Sequence, residues 1–251
     1  MARFENVTPA YSMDGALFDA QYARFDPSQA MSDEMVFLLS LCKVNAAEAY
    51  GVERTAAVAE RHARETGSDT EMRLLVEEHY HTRILLSAAL EYGLHVQGVY
   101  QPSLSLRALI SGCASRPGKM MRPTVLVSEL LGTLLFSQMF VKAGEVLASK
   151  PELRDRIQER IVEILIDEIG HVTFNQLCLS AWGMFQARRM LPLVVIGMGK
   201  QYPEMSPLGM GLTTDLTWLK RMPSEVMRRA FFVREVSAYR GTRIRDVTAA
   251  E

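Results

Sequence analysis

Two short stretches of the chain pair a carboxylate with an imidazole at the same spacing: Glu77-Glu78-His79-Tyr80-His81 and Asp167-Glu168-Ile169-Gly170-His171. In each, an acidic residue precedes a Glu, and a His follows that Glu by three positions. Residues three apart on a helix share a face, so each motif aims one carboxylate and one imidazole in the same direction. Two such faces meeting inside a helical bundle make a dinuclear metal site, provided two further helices each offer an inward carboxylate. That donor set is oxygen-rich and hard, which suits iron or manganese and disfavours zinc or copper(I).

The rest of the composition is that of an ordinary globular protein. The 251 residues are 48% hydrophobic and 23% charged, with a net charge of −1, and a chain of this length can bury a sizeable core. The near-neutral charge gives no reason to expect a nucleic-acid partner, and no Cys/His spacing reads as a zinc ribbon. Cys42, Cys113 and Cys178 are odd in number and far apart, each near an apolar segment, as expected of buried free thiols in a reducing cytoplasm. The first residues show no basic patch followed by an apolar run. The longest apolar stretch, 124–141, is interrupted by Ser128, Glu129, Ser137 and Gln138, and reads as a helix buried on nearly all sides rather than a membrane span. A cytoplasmic location without a membrane partner is the expectation.

Periodicity and breakers place the elements that must carry the motifs. Residues 1–31, with Pro9, Gly15 and Pro27, form an arm with room for one short helix. Ser32 with Asp33 caps a first long helix, marked by Phe37, Leu38, Leu41, Val44, Val52 and Ala56, that runs to about Arg64 and stops at Gly67-Ser68. Ser68 or Asp69 caps a second, which carries the first motif and ends near Gly93. Residues 94–122 hold Gly98, Pro102, Gly112, Pro117 and Gly118 and read as a long connection with one short helix. A third helix spans about 124–149. Pro151 opens a fourth, which carries the second motif and continues to about Arg188. The order predicts an all-α fold: a four-helix bundle with one long crossover plus additional C-terminal helices, forming a single domain over 1–251 with its bundle core at about 32–188. In the appendage, 190–251, Pro192, Gly197, Gly199, Pro203, Pro207 and Gly209 break the chain ahead of a final helix at about 223–239.

The two further carboxylates follow from counting. The third helix offers only Glu129 and Glu145. Measured from Lys150, Glu168 lies 18 residues forward and Glu129 lies 21 back; at a rise of 1.5 Å per residue their heights differ by only about 5 Å, whereas Glu145 misses by roughly 20 Å. A lone Glu in an apolar helix is costly unless something compensates it, and a metal would. On the first helix Glu48 shares the apolar face of Leu41, Val44, Asn45 and Val52, while turn counting slightly prefers Glu53. Glu48 is the choice and Glu53 the alternative.

With these residues assembled, 33–180 resembles the ferritin-like di-iron carboxylate proteins. Asp-Glu-Ile-Gly-His-Val-Thr-Phe at 167–174 is similar to the last-helix motif of the oxygenase branch, including aldehyde-deformylating oxygenases and ribonucleotide reductase small subunits. Glu-Glu-His-Tyr-His-Thr at 77–82 is closer to the arylamine N-oxygenases. The resemblance implies Glu48, Glu78, His81, Glu129, Glu168 and His171 as ligands of two iron ions, with manganese as an alternative. It also implies that Asp167 holds the ring N–H of His81 and Glu77 that of His171. Thr133, one turn beyond Glu129, sits where bacterial multicomponent monooxygenases place a threonine beside the dioxygen site, and Gly132 with Thr133 would leave room for oxygen or substrate. The N-oxygenases carry an extra His one turn before the last-helix Glu; here that residue is Ile164. The gap from Glu129 to Glu168 is also longer than in most members.

The implied activity is that of a dioxygen-dependent oxidoreductase acting on a small organic substrate, with an external electron donor. A ferroxidase or iron-storage protein, a dimanganese enzyme and a metal-free bundle are the alternatives; the long crossover and the appendage, which more often build a pocket or a dimer surface, argue against a ferritin cage. Such bundles often dimerise, which makes a homodimer an option. The basic final segment (Lys220, Arg221, Arg228, Arg229, Arg234, Arg240, Arg243 and Arg245) reads as a solvated helix or as a contact for an acidic partner such as an acyl carrier protein. His62, His79 and His95 read as surface or satisfied histidines, Tyr50 and Tyr80 as packing residues. Asn175 and Gln176 fit plain packing as well as a cavity lining, and the fifteen methionines fit an adaptable apolar cavity or core filler.

Overall fold

A computed structural model describes residues 9–67, 70–94, 101–114, 118–224 and 226. The regular elements are all helical, with no strand among the described residues: α1 Gly15–Ala23, α2 Asp33–Thr66, α3 Thr70–Leu90, α4 Leu104–Ala114, α5 Gly118–Val146, α6 Pro151–Cys178 and α7 Ala181–Gly199, followed by 3-10 turns at Pro203–Leu208 and Leu216–Arg221.

The long helices begin and end where local chemistry says they should. Ser32 caps α2 by accepting from the backbone N–H of Met35, and Asp33 and Glu34 complement the positive end of the helix. Gly67, at φ 69°, takes the left-handed conformation that ends α2. Gly93, at φ 68°, does the same just past α3. Pro151 opens α6 at its first turn. The cap expected at Ser68 or Asp69 lies outside the described residues.

Short turns make α2/α3 and α5/α6 antiparallel pairs, and the pairs meet through α2 on α5 and α3 on α6. α4, within the crossover, packs on α2, and the arm is pinned where Ala10 and Tyr11 donate backbone bonds to the Glu91 carbonyl. α5 has α2, α6, α7 and the 216–221 turn packed around it. Leu126, Leu130, Leu134, Phe136 and Met139 of α5 are fully buried. Asp33–Glu65 and Met121–Val146 are long and apolar enough to cross a membrane, but about two thirds of each apolar window is buried inside the protein (61% and 67%), as in core helices.

Three boundaries differ from the sequence expectation. α5 starts at Gly118 and runs through Pro123, because a proline near a helix start removes a single backbone bond from an already loosely tied end. α6 ends at Cys178 rather than near Arg188. The chain breaks at Leu179, and Ser180 caps a new helix by accepting from the Gly183 N–H. α7 then passes through Pro192 and Gly197, held by the packing of Gly183, Met184, Ala187 and Leu191, so the appendage is less broken than its prolines suggest. Of the cysteines, Cys42 is buried, with its thiol pushed up to about 12 by burial, but Cys178 is exposed at the end of α6; both are free. The side chain of Cys113, and the final helix expected at about 223–239, lie outside the described residues save for 223, 224 and 226.

Candidate metal centre

The four long helices bring the motif residues to one place. α3 carries Glu77, Glu78 and His81, α6 carries Asp167, Glu168 and His171, α5 supplies Glu129, and α2 supplies Glu48. One oxygen or nitrogen from each of Glu78, Glu129, Glu168 and His171 lies within 4.8 Å of the others. His171 Nδ1 stands 2.7 Å from Glu78 Oε1 and 3.5 Å from Glu129 Oε2. His81 Nδ1 stands 3.5 Å from Glu168 Oε1 and 3.7 Å from Glu78 Oε2. The two imidazoles face each other with centroids 5.9 Å apart. Glu53 points elsewhere: it is 69% exposed and pairs with Arg54, whereas Glu48 lies within the field of Glu78, Glu168, His81 and Glu129.

Each motif orients the histidine of the other. His81 Nε2 meets Asp167 Oδ2 at 3.1 Å, and His171 Nε2 meets Glu77 Oε2 at 2.9 Å. With both Nε2 atoms so engaged, the Nδ1 atoms are left facing the carboxylates. Glu77 and Asp167 are partly exposed, while both imidazoles are buried.

The electrostatics show a cluster with too little positive charge. Burial, together with the negative charges of Glu78 and Glu168, raises Glu48 well above the usual carboxylate range. Burial and the charges of Glu78 and Glu129 push Glu168 up to about 8. Glu78 goes the other way: burial would raise it, but bonds from His171 and His81 outweigh burial and hold it at about 2. Burial would lower both histidines, yet the surrounding carboxylates overcome it. Asp167, Glu168 and Glu78 raise His81, and Glu129 and Glu78 raise His171 to about 12. Even with both imidazoles protonated, four carboxylates share two cations, with Glu78 and Glu129 only 17% exposed. Glu48 Oε2 is buried without a hydrogen-bond partner, and so is Asn45 Oδ1, one turn before Glu48. Buried polar atoms are rarely left so, and metal ions coordinated by these atoms would satisfy both the charge and the orphaned donors.

The neighbours of the cluster bear on the expectation at Gly132. A Cβ on Gly132 would come within 3.2 Å of Glu168 Oε2, so this glycine makes room for the carboxylate itself rather than leaving space for oxygen. Thr133 is buried one turn beyond Glu129, and its hydroxyl donates to the Glu129 carbonyl at 2.8 Å. Asn175 is tied to the His171 carbonyl and serves packing; Ile164 is fully buried. Tyr50 bonds Ser111 and Tyr80 lies at the surface near Glu163, both away from the cluster. His79 is exposed; the side chain of His62 and all of His95 lie outside the described residues.

No family model, characterised protein or solved structure matches the chain. The site must therefore be judged on its geometry.

Two residues escaped sequence reasoning. Tyr202 is buried and close enough to Glu48 and Glu204 that burial and their negative charges raise its hydroxyl well above the ordinary tyrosine range. Glu204, itself fully buried, accepts from Lys43 Nζ of α2 at 3.1 Å. The turn at Pro203–Leu208 thus packs on α2 beside the Glu48 side of the cluster. No periodicity marks these positions; the only sequence signal is an acid set between apolar residues in Tyr-Pro-Glu-Met.

Proposed function

We propose that the chain is a non-haem di-iron oxygenase built on a ferritin-like bundle. The observation that carries this reading is the reciprocal wiring of the two motifs: the two Nδ1 atoms are aimed at Glu78, Glu129 and Glu168, and Glu48 beside them keeps a buried oxygen without a hydrogen-bond partner. Glu48, Glu78, His81, Glu129, Glu168 and His171 would hold two iron ions, with manganese as the alternative metal. The bound pair would supply the redox capacity to activate dioxygen and oxidise a small organic substrate, with electrons from an external donor.

The chain's own groups do the positioning. Glu77 and Asp167 fix the tautomer and direction of the two imidazoles, and by accepting the Nε2 protons they make Nδ1 the better donor. Gly132 lets Glu168 approach the back of α5. Leu130, Leu134 and Ile164, all buried on the helices that carry Glu129 and Glu168, keep bulk water out. Thr133 is the buried hydroxyl one turn beyond Glu129, and a proton-donating role for it requires release from the Glu129 carbonyl.

The test is oxygen uptake by protein loaded anaerobically with Fe(II). Uptake that depends on an added amine, aldehyde or C–H substrate, and yields the oxidised compound, supports an oxygenase. Uptake that depends on Fe(II) alone and deposits ferric iron beyond two ions per chain points to an iron-handling protein instead.

A further inference from the structure

α7 is apolar on two opposite sides. At 100° per residue, Gly183, Met184, Ala187 and Leu191 form one face, which is buried. Trp182, Phe185, Arg189, Leu193, Ile196 and, just past the helix, Lys200 form the other, within a stripe of about 80°. This outer stripe is open to solvent: Trp182 is 65% exposed, Leu193 68%, Ile196 68% and Phe185 47%. The Trp182 and Phe185 rings stack with centroids 5.3 Å apart, and the Arg189 guanidinium lies 5.9 Å over the Phe185 ring. Four large apolar side chains in line on one helix form a patch of the kind that marks an interaction surface.

Charge identifies what covers it. Residues 181–200 contain Arg188, Arg189 and Lys200 and no acid. The net charge of −1 conceals a split: residues 181–251 carry 11 Lys and Arg against 6 Asp and Glu, whereas residues 1–180 carry 17 against 23. A second copy of the chain is disfavoured, because antiparallel pairing of the stripe about its middle sets Arg189 against its own copy. The chain's own residues 227–251 are disfavoured by their charge, with six arginines against three acids. A surface both apolar and anionic matches the stripe. Tryptophan and phenylalanine enter the boundary between headgroups and acyl chains, and Arg189 and Lys200 extend along their stems to lipid phosphates.

We infer that the outer face of α7 docks the protein on an anionic phospholipid surface, lying along it without spanning it. The expectation of no membrane partner rests on the polar interruptions of the 124–141 stretch, which argue against a span and do not bear on a helix that lies along a surface. The inference is independent of the metal centre, since α7 contributes none of the proposed ligands.

The test is sedimentation of the full-length protein with phosphatidylcholine vesicles, with and without about one third phosphatidylglycerol, together with Trp182 emission in a Trp218→Phe background. Binding that requires phosphatidylglycerol and shifts Trp182 emission to the blue is the expected result. Leu193→Ser/Ile196→Ser and Arg189→Glu/Lys200→Glu should each weaken binding about tenfold or more, at unchanged helicity and metal content. No binding, or binding indifferent to phosphatidylglycerol, would overturn the inference. So would binding lost in Arg228→Glu/Arg229→Glu but untouched in the α7 variants, which would assign it to the C-terminal residues. A dimer in light scattering that dissociates in Leu193→Ser/Ile196→Ser would assign the stripe to a second copy.

Discussion

Glu91, just past α3, and Glu168, in α6, are both buried glutamates, at 6% and 3% exposure. Glu91 is answered by the protein itself. Arg156 bonds both of its oxygens, at 3.2 and 3.1 Å, and Arg160 approaches to 3.6 Å. Glu168 instead sits among Glu48, Glu78 and Glu129, and the positive charges that act on it are the His81 and His171 imidazoles, which it shares with them. One buried acid closes a structural contact between the α3 end and α6; the other belongs to a group whose charge and lone pairs point at an outside cation. Burial alone does not mark a site, and what distinguishes this one is that Glu168 faces shared imidazoles and other carboxylates where Glu91 has two arginines.

Neutralising each acid should therefore have opposite effects on stability in metal-free protein. Glu91→Gln leaves Arg156 and Arg160 without their carboxylate and should cost about 2 kcal/mol while leaving metal content intact. Glu168→Gln fixes the neutral form that the folded pocket favours, so above about pH 8, where the carboxylate would be charged, it should raise metal-free stability by about 1–2 kcal/mol while impairing metal binding. Urea unfolding of both variants, with metal analysis alongside, checks the contrast; equal destabilisation would erase it.

A pH series sharpens the same point. A carboxyl whose pKa is raised on folding takes up a proton as the chain folds, so its contribution is complete below its ordinary value and is lost as pH rises through the folded value. For Glu168 that window runs from 4.5 to about 8. His81 and His171, also raised, act in the same direction, their contribution complete below 6.5 and lost on the way to higher pH. Glu78 is depressed; its contribution is present above 4.5 and lost as pH falls towards about 2. Metal-free protein should then lose melting temperature as pH rises across the Glu168 window. Metal-loaded protein should gain it over the same range, because metal displaces those protons. Parallel curves would show that metal does not bind through these groups.

Smaller effects concern aim and fit. Glu77→Ala and Asp167→Ala should each weaken iron affinity about 10–100-fold without changing the number of ions bound at saturation, as read by competitive titration with a chelator. Gly132→Ala, which presses a methyl group on Glu168 Oε2, should lower affinity by several-fold, with a stability change within about 1 kcal/mol.

Much of the centre was legible because its information is helical. The Glu-x-x-His spacing, the height count that selected Glu129 over Glu145, and the apolar face that favoured Glu48 over Glu53 all follow from helix geometry, and the structure gathers those residues. The reciprocal contacts of Glu77 and Asp167 were implied by resemblance and are present as distances. The all-helical class and the Ser32, Gly67 and Pro151 boundaries were likewise local. What was missed is tertiary or follows from one residue. Tyr202 and Glu204 reach α2 through a 3-10 turn without periodicity. The break at Leu179 is hidden because apolar residues continue through Met184, Ala187 and Leu191, leaving the Ser180 cap as its sole mark. Pro192 reads as a breaker, yet packing on the core keeps it inside α7. Gly132 was taken as open space because its near neighbour, Glu168, lies on another helix.

The most direct test is the metal content of protein loaded anaerobically with Fe(II) and freed of excess, beside Glu129→Ala and Glu168→Ala. About two iron ions per chain in the wild type, lost in both variants while helicity is retained, is the predicted result. No bound metal in the wild type, or two ions retained after either substitution, would contradict a dinuclear centre at these residues.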